Sequence, residues 1–364
     1  MKKLFVVLMV LAVAFTAFAQ SGAETAKSDE VKIAMVTDYG DITDQSFNQT
    51  TYEACRDYAA AQGLGFQYFK PTGDSTAERV KMIVAAIEQG YNVIVMPGLA
   101  FGEAIQETAP QYPDVKFIAL DVSEFDLGGK VPSNVYAAVY QEEIAGYFAG
   151  YAAVKLGYTK LGYLGGMAVP AVIRYGYGFV QGAEAAAKAT GAKVEIKYTY
   201  GNQFFGDADI TAAMDTWYKA GTECVFACGG GIYSSAAEAA AKVGGKVIGV
   251  DVDQAATIDG LYGEGITVTS AMKGLAATVE SALSSILDGS FEGGKVDTLG
   301  LVSDVPAENF VQIAESTQFS DDFSEEDYAA LVAAMNAGDV TVSNDIEEEP
   351  AVTAISVDYQ GNIK

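Results

Sequence analysis

Two passages of this chain repeat one another, and that repetition constrains the fold more than any other feature. Asn92-Val-Ile-Val-Met-Pro-Gly98 is answered by Glu223-Cys-Val-Phe-Ala-Cys-Gly229, and Lys116-Phe-Ile-Ala-Leu-Asp121 by Lys246-Val-Ile-Gly-Val-Asp251. Each copy gives a short apolar strand, a glycine turn, a helix-length interval, a second strand and a terminal carboxylate. Short β-rich runs that alternate with helical patterns mean βαβ units and a parallel sheet. A duplicated set of such units makes two similar α/β domains, because each half carries enough strands for its own core.

The first half is expected to place strands over 32–36, 66–69, 92–96 and 116–120, with helices over 44–62, 75–89 and 101–112. The second half begins with a helix over 141–156. It then alternates strands over 161–164, 194–200, 224–228 and 246–250 with helices over 172–190, 209–220 and 233–243. Beyond these lie a strand over 266–271 and an amphipathic helix over 273–287. Ser324-Glu-Glu-Asp327 is a capping box that opens a last helix, with Gly338 as its stop. The expected domains are 31–125 with 266–297, and 126–265 with 298–364. Several crossings between two α/β domains make a hinge, and a hinge makes a cleft that can close on a ligand.

The N-terminus reads as an export signal. Met1-Lys2-Lys3 precedes an apolar run from Leu4 to Phe15, and Ala17-Phe18-Ala19 supplies a small-x-small cleavage site. Residues 1–19 are thus an expected signal peptide and 20–30 a flexible leader, leaving about 345 residues in a periplasmic or otherwise extracytoplasmic protein. The competing reading is an uncleaved anchor, for which the run is short. No cysteine stands near the cleavage site to take a lipid. The net charge of −26 argues against nucleic acid or an anionic membrane as partner. With three cysteines and no histidine, neither a disulfide framework, a zinc site nor a His-based triad is expected. Cys224 and Cys228 flank one strand, where their spacing spans ~13 Å, too far for a bridge.

Chemistry-bearing residues gather at the strand ends, where ligands bind in open α/β sheets. The turn Thr37-Asp-Tyr-Gly-Asp-Ile-Thr-Asp-Gln-Ser-Phe-Asn48 joins the first strand to the first helix. Asp44 or Thr43 can cap that helix without any ligand. Asp38, Asp121 and Asp251 each end a strand and would converge if both domains face one cleft. They could act as an acid–base pair in hydrolysis, or as acceptors for a neutral ligand rich in N–H and O–H donors. Phe47 in one domain and Phe204-Phe205 in the other could sandwich a flat ring. Lys273 is placed at the start of a helix, an unfavourable end for a cation. Opposite Asp251 it could fix a vicinal diol. No G-x-G-x-x-G or P-loop pattern is present to hold a dinucleotide or a phosphate chain, and no cofactor or metal is expected.

Several of these segments together resemble the basic membrane protein family, the PnrA-like, nucleoside-binding branch of extracytoplasmic receptors for ABC importers. They are Asp44-Gln-Ser-Phe47-Asn48, Gly165-Gly-Met167 with Gly178-Phe-x-x-Gly182, Phe205-x-Asp207, Val247-Ile-Gly-Val-Asp251-x-Asp253-Gln254, and Thr269-Ser-x-x-Lys273. The resemblance spans roughly 32–342. It implies the type I periplasmic binding protein fold, two Rossmann-like domains with three hinge crossovers. It also implies that Phe47 stacks on a purine, with Phe205 on the other face and Phe204 as the alternative. Asp38, Asn48 and Asp121 would read the base edges, and Asp251 and Lys273 would hold the ribose hydroxyls. The implied ligand is a purine nucleoside (inosine, guanosine or adenosine), and the implied partners are an ABC permease and its ATPase. The chain is expected to act as a monomer and not as an enzyme. Alternatives are a sugar receptor of the same fold, or a nucleoside or glycoside hydrolase. Tyr39-Gly40 departs from the small or Gly-Phe-type sequence usual in the family's first turn, which could alter the ligand's depth or identity.

Overall fold

The computed structural model describes residues 30–363, so the expected signal peptide and nearly all of the leader lie outside the described residues. From Val31 onward the chain forms one compact unit. It opens β1 (Lys32–Val36), α1 (Phe47–Gln62), β2 (Gly65–Phe69), α2 (Thr76–Glu88), β3 (Val93–Pro97), α3 (Gly102–Thr108), β4 (Lys116–Leu120) and β5 (Val135–Tyr140). It continues α4 (Glu142–Lys155), β6 (Lys160–Gly165), α5 (Pro170–Thr190), β7 (Val194–Tyr200), α6 (Ala208–Lys219), β8 (Cys224–Cys228), α7 (Tyr233–Ala241), β9 (Lys246–Asp251) and α8 (Ala255–Tyr262). It ends β10 (Thr267–Lys273), α9 (Leu275–Leu287), β11 (Lys295–Leu299), β12 (Val311–Ile313), α10 (Glu325–Asn336) and β13 (Ile355–Asn362).

These strands build two sheets, in the orders β11-β5-β4-β3-β1-β2 and β12-β10-β9-β8-β6-β7-β13. Every pairing is parallel except that of β12 with β10. Central strands such as β3 and β8 are buried along their whole length, as parallel strands covered by helices on both faces must be. All three cysteines are free and buried, consistent with their use as small hydrophobes.

The expected alternation is realised, with corrections at the crossings. β5 is not among the strands expected from the sequence, so the chain leaves the first sheet after Tyr140 rather than near residue 125. β10, expected with 266–297 in the first half, lies in the second sheet beside β9; α9, which packs on α1 and β4, is the first element to return. β11 completes the first sheet and β12 the second. There are therefore three crossovers, at Gln141, at Gly274 and between Leu299 and Val311. They run side by side and are bonded to one another. Gln141 N–H donates to the Leu299 carbonyl (2.9 Å), Phe310 N–H to Gly300 (3.0 Å) and Gly274 N–H to Phe310 (2.8 Å).

Candidate functional site

Both sheets turn the carboxyl ends of their strands toward one site. Asp38 follows β1, Asp121 follows β4, Asp251 ends β9 and Lys273 ends β10. Lys273 is thus the last residue of a strand at the middle crossover, one residue before the N-cap Gly274 of α9, so carboxylates and not the helix must hold its charge. Asp121 and Asp251 hold the same left-handed backbone, with φ of 56° and 65°. Two non-glycine residues in that region carry a conformational cost of ~1–3 kcal/mol each, the kind of strain that concentrates at functional sites.

Lys273 is 5% exposed. Its Nζ lies 2.6 Å from Asp121 Oδ2, 3.5 Å from Glu142 Oε1 and 3.7 Å from Asp251 Oδ1. Phe47, Tyr140 and Tyr175 surround it, with Nζ 4.7, 5.4 and 5.8 Å from their ring centres. Burial pulls the lysine's pKa down, but the three carboxylates outweigh burial and hold it above the usual lysine range. Burial raises Asp251, against the pull of Lys273 and of a hydrogen bond from Ser46 Oγ at 2.6 Å. Glu142 is 0% exposed and also raised by burial, opposed by Arg174, whose Nε donates to its Oε2 at 2.7 Å.

Asp38, two strands along the first sheet from Asp121, is buried and accepts from the Gly40 N–H at 2.7 Å. Burial pushes its carboxyl up to about 6, with the Gly40 bond holding it back. A side chain at Gly98 would come within 2.7 Å of Asp38 Oδ2, so glycine there lets the carboxylate tuck in. Asp44 is more than a cap. Its carboxylate accepts from the N–H groups of Ser46, Asn48 and Gln49 and from Asn48 Nδ2, which fixes the Asn48 amide. Asn48 Oδ1, Asp121 Oδ1, Glu142 Oε1 and Tyr175 OH are buried with no hydrogen-bond partner. Such atoms are costly to leave unpaired, and three of the four can only accept.

Phe205 is 61% exposed, whereas the Phe204 ring lies on the backbone of Gly166 and Gly229, where a side chain would collide with it. Phe204 reaches Tyr39 of the first lobe, with ring centres 6.3 Å apart and planes 14° from parallel. Two further contacts bridge the lobes, from Gln254 Nε2 to the Gln45 carbonyl (2.9 Å) and from Thr257 Oγ1 to Gln45 Oε1 (3.0 Å). Glu142, Arg174, Tyr175 and Ser46 are not singled out by sequence reasoning. The first three lie in helical patterns that look like ordinary core or surface, and only proximity to a crossover could have marked them. Among the described residues no group of His, Cys, Asp and Glu is arranged to hold a metal.

Two parallel α/β lobes, three bonded crossovers and a buried polar site between facing strand ends define a two-lobed binding protein of the type I periplasmic fold. The chain belongs to the family described as ABC transporter substrate-binding protein PnrA-like, whose model matches residues 31–331. It is 29% identical over 299 residues to the ABC transporter nucleoside-binding protein BmpA of Lactococcus lactis, covering 77% of this chain and 82% of the relative. It is 27% identical to basic membrane protein B of Borreliella afzelii, covering 78% and 82%. Among solved structures it resembles an ABC transporter solute-binding protein from Conexibacter woesei (TM-score 0.67, 23% identity, 86% of this chain and 99% of that one). Another, from Aeropyrum pernix, has a TM-score of 0.67 at 21% identity, covering 87% and 88%. At those identities the structures establish the fold alone. Proteins of this class work outside the cytoplasm, and no helix among the described residues is long and apolar enough to cross a membrane.

Proposed function

We propose that this protein captures purine nucleosides between its lobes, without chemical conversion, and delivers them to an ABC import permease and its ATPase. The observation that carries this reading is the pair of buried acceptors without a hydrogen-bond partner, Asn48 Oδ1 and Asp121 Oδ1, the latter on the carboxylate that pairs with Lys273. Asp121 and Asp251 would accept from the ribose hydroxyls while Lys273 donates, and Asp38 and Asn48 would accept from N–H groups on the base. Phe47 would lend its ring surface beneath the ligand. Four carboxylates, Asp121, Glu142, Glu143 and Asp251, stand here against two cations, Lys273 and Arg174, so the site suits a neutral ligand and disfavours a phosphorylated one. The nucleoside-binding name of the Lactococcus relative points the same way. The export signal read in residues 1–19 would place this work in the periplasm or an equivalent extracytoplasmic space.

Isothermal titration with inosine, guanosine, adenosine, their 5′-monophosphates and a panel of free sugars tests the proposal. Nucleosides should release heat at micromolar concentration, and the monophosphates should bind at least tenfold more weakly. Heat from a sugar and from no nucleoside would remove the ligand class. Free base accumulating during incubation would show turnover instead of capture.

A further inference from the structure

Gln254 has no part in the ligand site described above, yet it is 1% exposed and bonded through both ends of its side-chain amide. Its Oε1 accepts from the Val250 N–H at 2.9 Å, and its own N–H donates to Ser270 Oγ at 3.1 Å, which fixes the residue within the second lobe. Gly249 makes room for this arrangement, because a side chain there would come within 2.8 Å of Gln254 Oε1. The amide so fixed presents Nε2 to the first lobe, where it donates to the Gln45 carbonyl at 2.9 Å. Gln45 holds a left-handed backbone, with φ of 55°, and its side chain is tied on both sides. Its Oε1 accepts from Thr257 Oγ1 at 3.0 Å, and its Nε2 donates to Gln49 Oε1 at 2.7 Å.

The two backbone groups joined by this one amide each adjoin a member of a second interlobe pair. Val250 precedes Asp251, and Gln45 precedes Ser46, whose Oγ donates to Asp251 Oδ2 at 2.6 Å. Gln45 and Asp251 both carry left-handed backbone, at a cost of ~1–3 kcal/mol each, and such strain persists only where surrounding contacts hold it. We propose that the Gln254 amide is a bracket between the lobes, a positioning residue that sets Ser46 against Asp251 and holds the lobes closed over a captured ligand. Retention of a nucleoside by this bracket rests on the function proposed above; the bracket itself does not. An amide suits the task because it accepts and donates at once. Oε1 takes a donor from its own lobe and Nε2 gives one to an acceptor in the other, whereas an ionised carboxylate could only turn oxygen against the Gln45 carbonyl.

The test reads interlobe separation by pulsed dipolar spectroscopy between spin labels at Lys81→Cys and Lys219→Cys, exposed positions on α2 of the first lobe and α6 of the second. The native cysteines are buried, so labelling stays specific. The labelled protein is compared with the same protein carrying Gln254→Glu or Thr257→Val, and thermal unfolding checks that each is folded. At pH 8 Gln254→Glu should shift the distribution to longer separations. Burial raises the introduced carboxyl, and once protonated it again donates to the Gln45 carbonyl. The separations should therefore return toward those of the labelled parent, measured at the same pH, as pH falls to 5. Thr257→Val removes one neutral hydrogen bond and should raise the Kd for inosine about two- to tenfold, chiefly through faster release. Separations unchanged in Gln254→Glu at pH 8 would overturn the bracket. Separations that lengthen at pH 8 and stay long at pH 5 would overturn its donor role. If Gln254→Glu does not fold, an unchanged separation and inosine Kd in Thr257→Val would overturn the proposal instead. No heat from inosine with the unaltered protein would remove the nucleoside reading, while the separations still judge the bracket.

Discussion

Lys273 keeps its charge in a nearly dry setting only because three carboxylates from three different strand or helix ends converge on it. Removing one of them should therefore be felt selectively. Asp251→Ala should weaken inosine about thirtyfold or more, from the loss of hydrogen bonds worth ~2–3 kcal/mol to a charged group, while free hypoxanthine changes little. Calorimetry showing equal losses for both would remove Asp251 from the ribose. Asp38 should make binding depend on pH. Burial pushes its carboxyl up to about 6, so if it meets the base as a carboxylate, as proposed, affinity should be full above pH 7 and fall by up to tenfold per unit as pH drops below 6. Asp38→Asn should flatten that profile. Its effect on folding has the opposite sign: a raised carboxyl favours the folded state in full below about pH 4, and that contribution is lost as pH rises through 6. The strand-ending acids are legible in the sequence because a carboxylate after an apolar run has no role in the sheet. That Phe204 packs inward on Gly166 and Gly229 while Phe205 is exposed is not, since only the glycines brought beneath by the fold decide it.

Parallel strands are the most readable elements, since burial on both faces makes them continuous apolar runs. The misses share physical causes. β11, β12 and β13 are edge strands with mixed faces, and the 101–112 pattern breaks into α3 flanked by 3₁₀ turns, with Pro110 in the second. β5 reads Val-Tyr-Ala-Ala-Val-Tyr, strand-favouring at four of six positions but short and split by an alanine pair, and passing over it places the first crossing too early. One motif carried by the resemblance proves to be architectural. Gly178 and Gly182 of α5 meet the carbonyls of Glu143 and Tyr147, and Gly146 and Gly150 of α4 meet those of Tyr175 and Phe179. No side chain fits at any of these four positions, so the helices lie backbone against backbone and set Arg174 beside Glu142. Gly150→Leu should cost about 2–3 kcal/mol or prevent folding, read by chemical denaturation. A change below about 0.5 kcal/mol, the range of an ordinary surface substitution, would show that the two helices can part without loss.

The family's model ends at residue 331, and the chain beyond it adds a strand to the second sheet. β13 lies parallel on β7, and the Glu184 carboxylate of α5 accepts from the N–H groups of Thr353, Ala354 and Ile355. Burial would raise this carboxyl, but those N–H groups and Lys188 hold it down at about 2. The sign is the reverse of Asp38: the clamp is fully present above about pH 4.5 and fades as pH falls toward 2. Glu184→Ala should speed amide hydrogen exchange at 355–359 while leaving β8 and β9 protected, and unchanged exchange would mean that the strand holds without it. The paired order of the whole is readable from the duplication, because each copy keeps its strand, turn and acid. The path between the halves is not, since a crossover is set by packing distant in sequence. Three adjoining segments bonded to one another form the hinge between the lobes, and Lys273, paired with Asp121, is the residue just before the crossover at Gly274. Rotation about a hinge displaces each group in proportion to its lever arm. The Lys273 cluster beside the crossovers thus moves least while the far rim swings, and on the proposed reading a ligand would be gripped from that end outward.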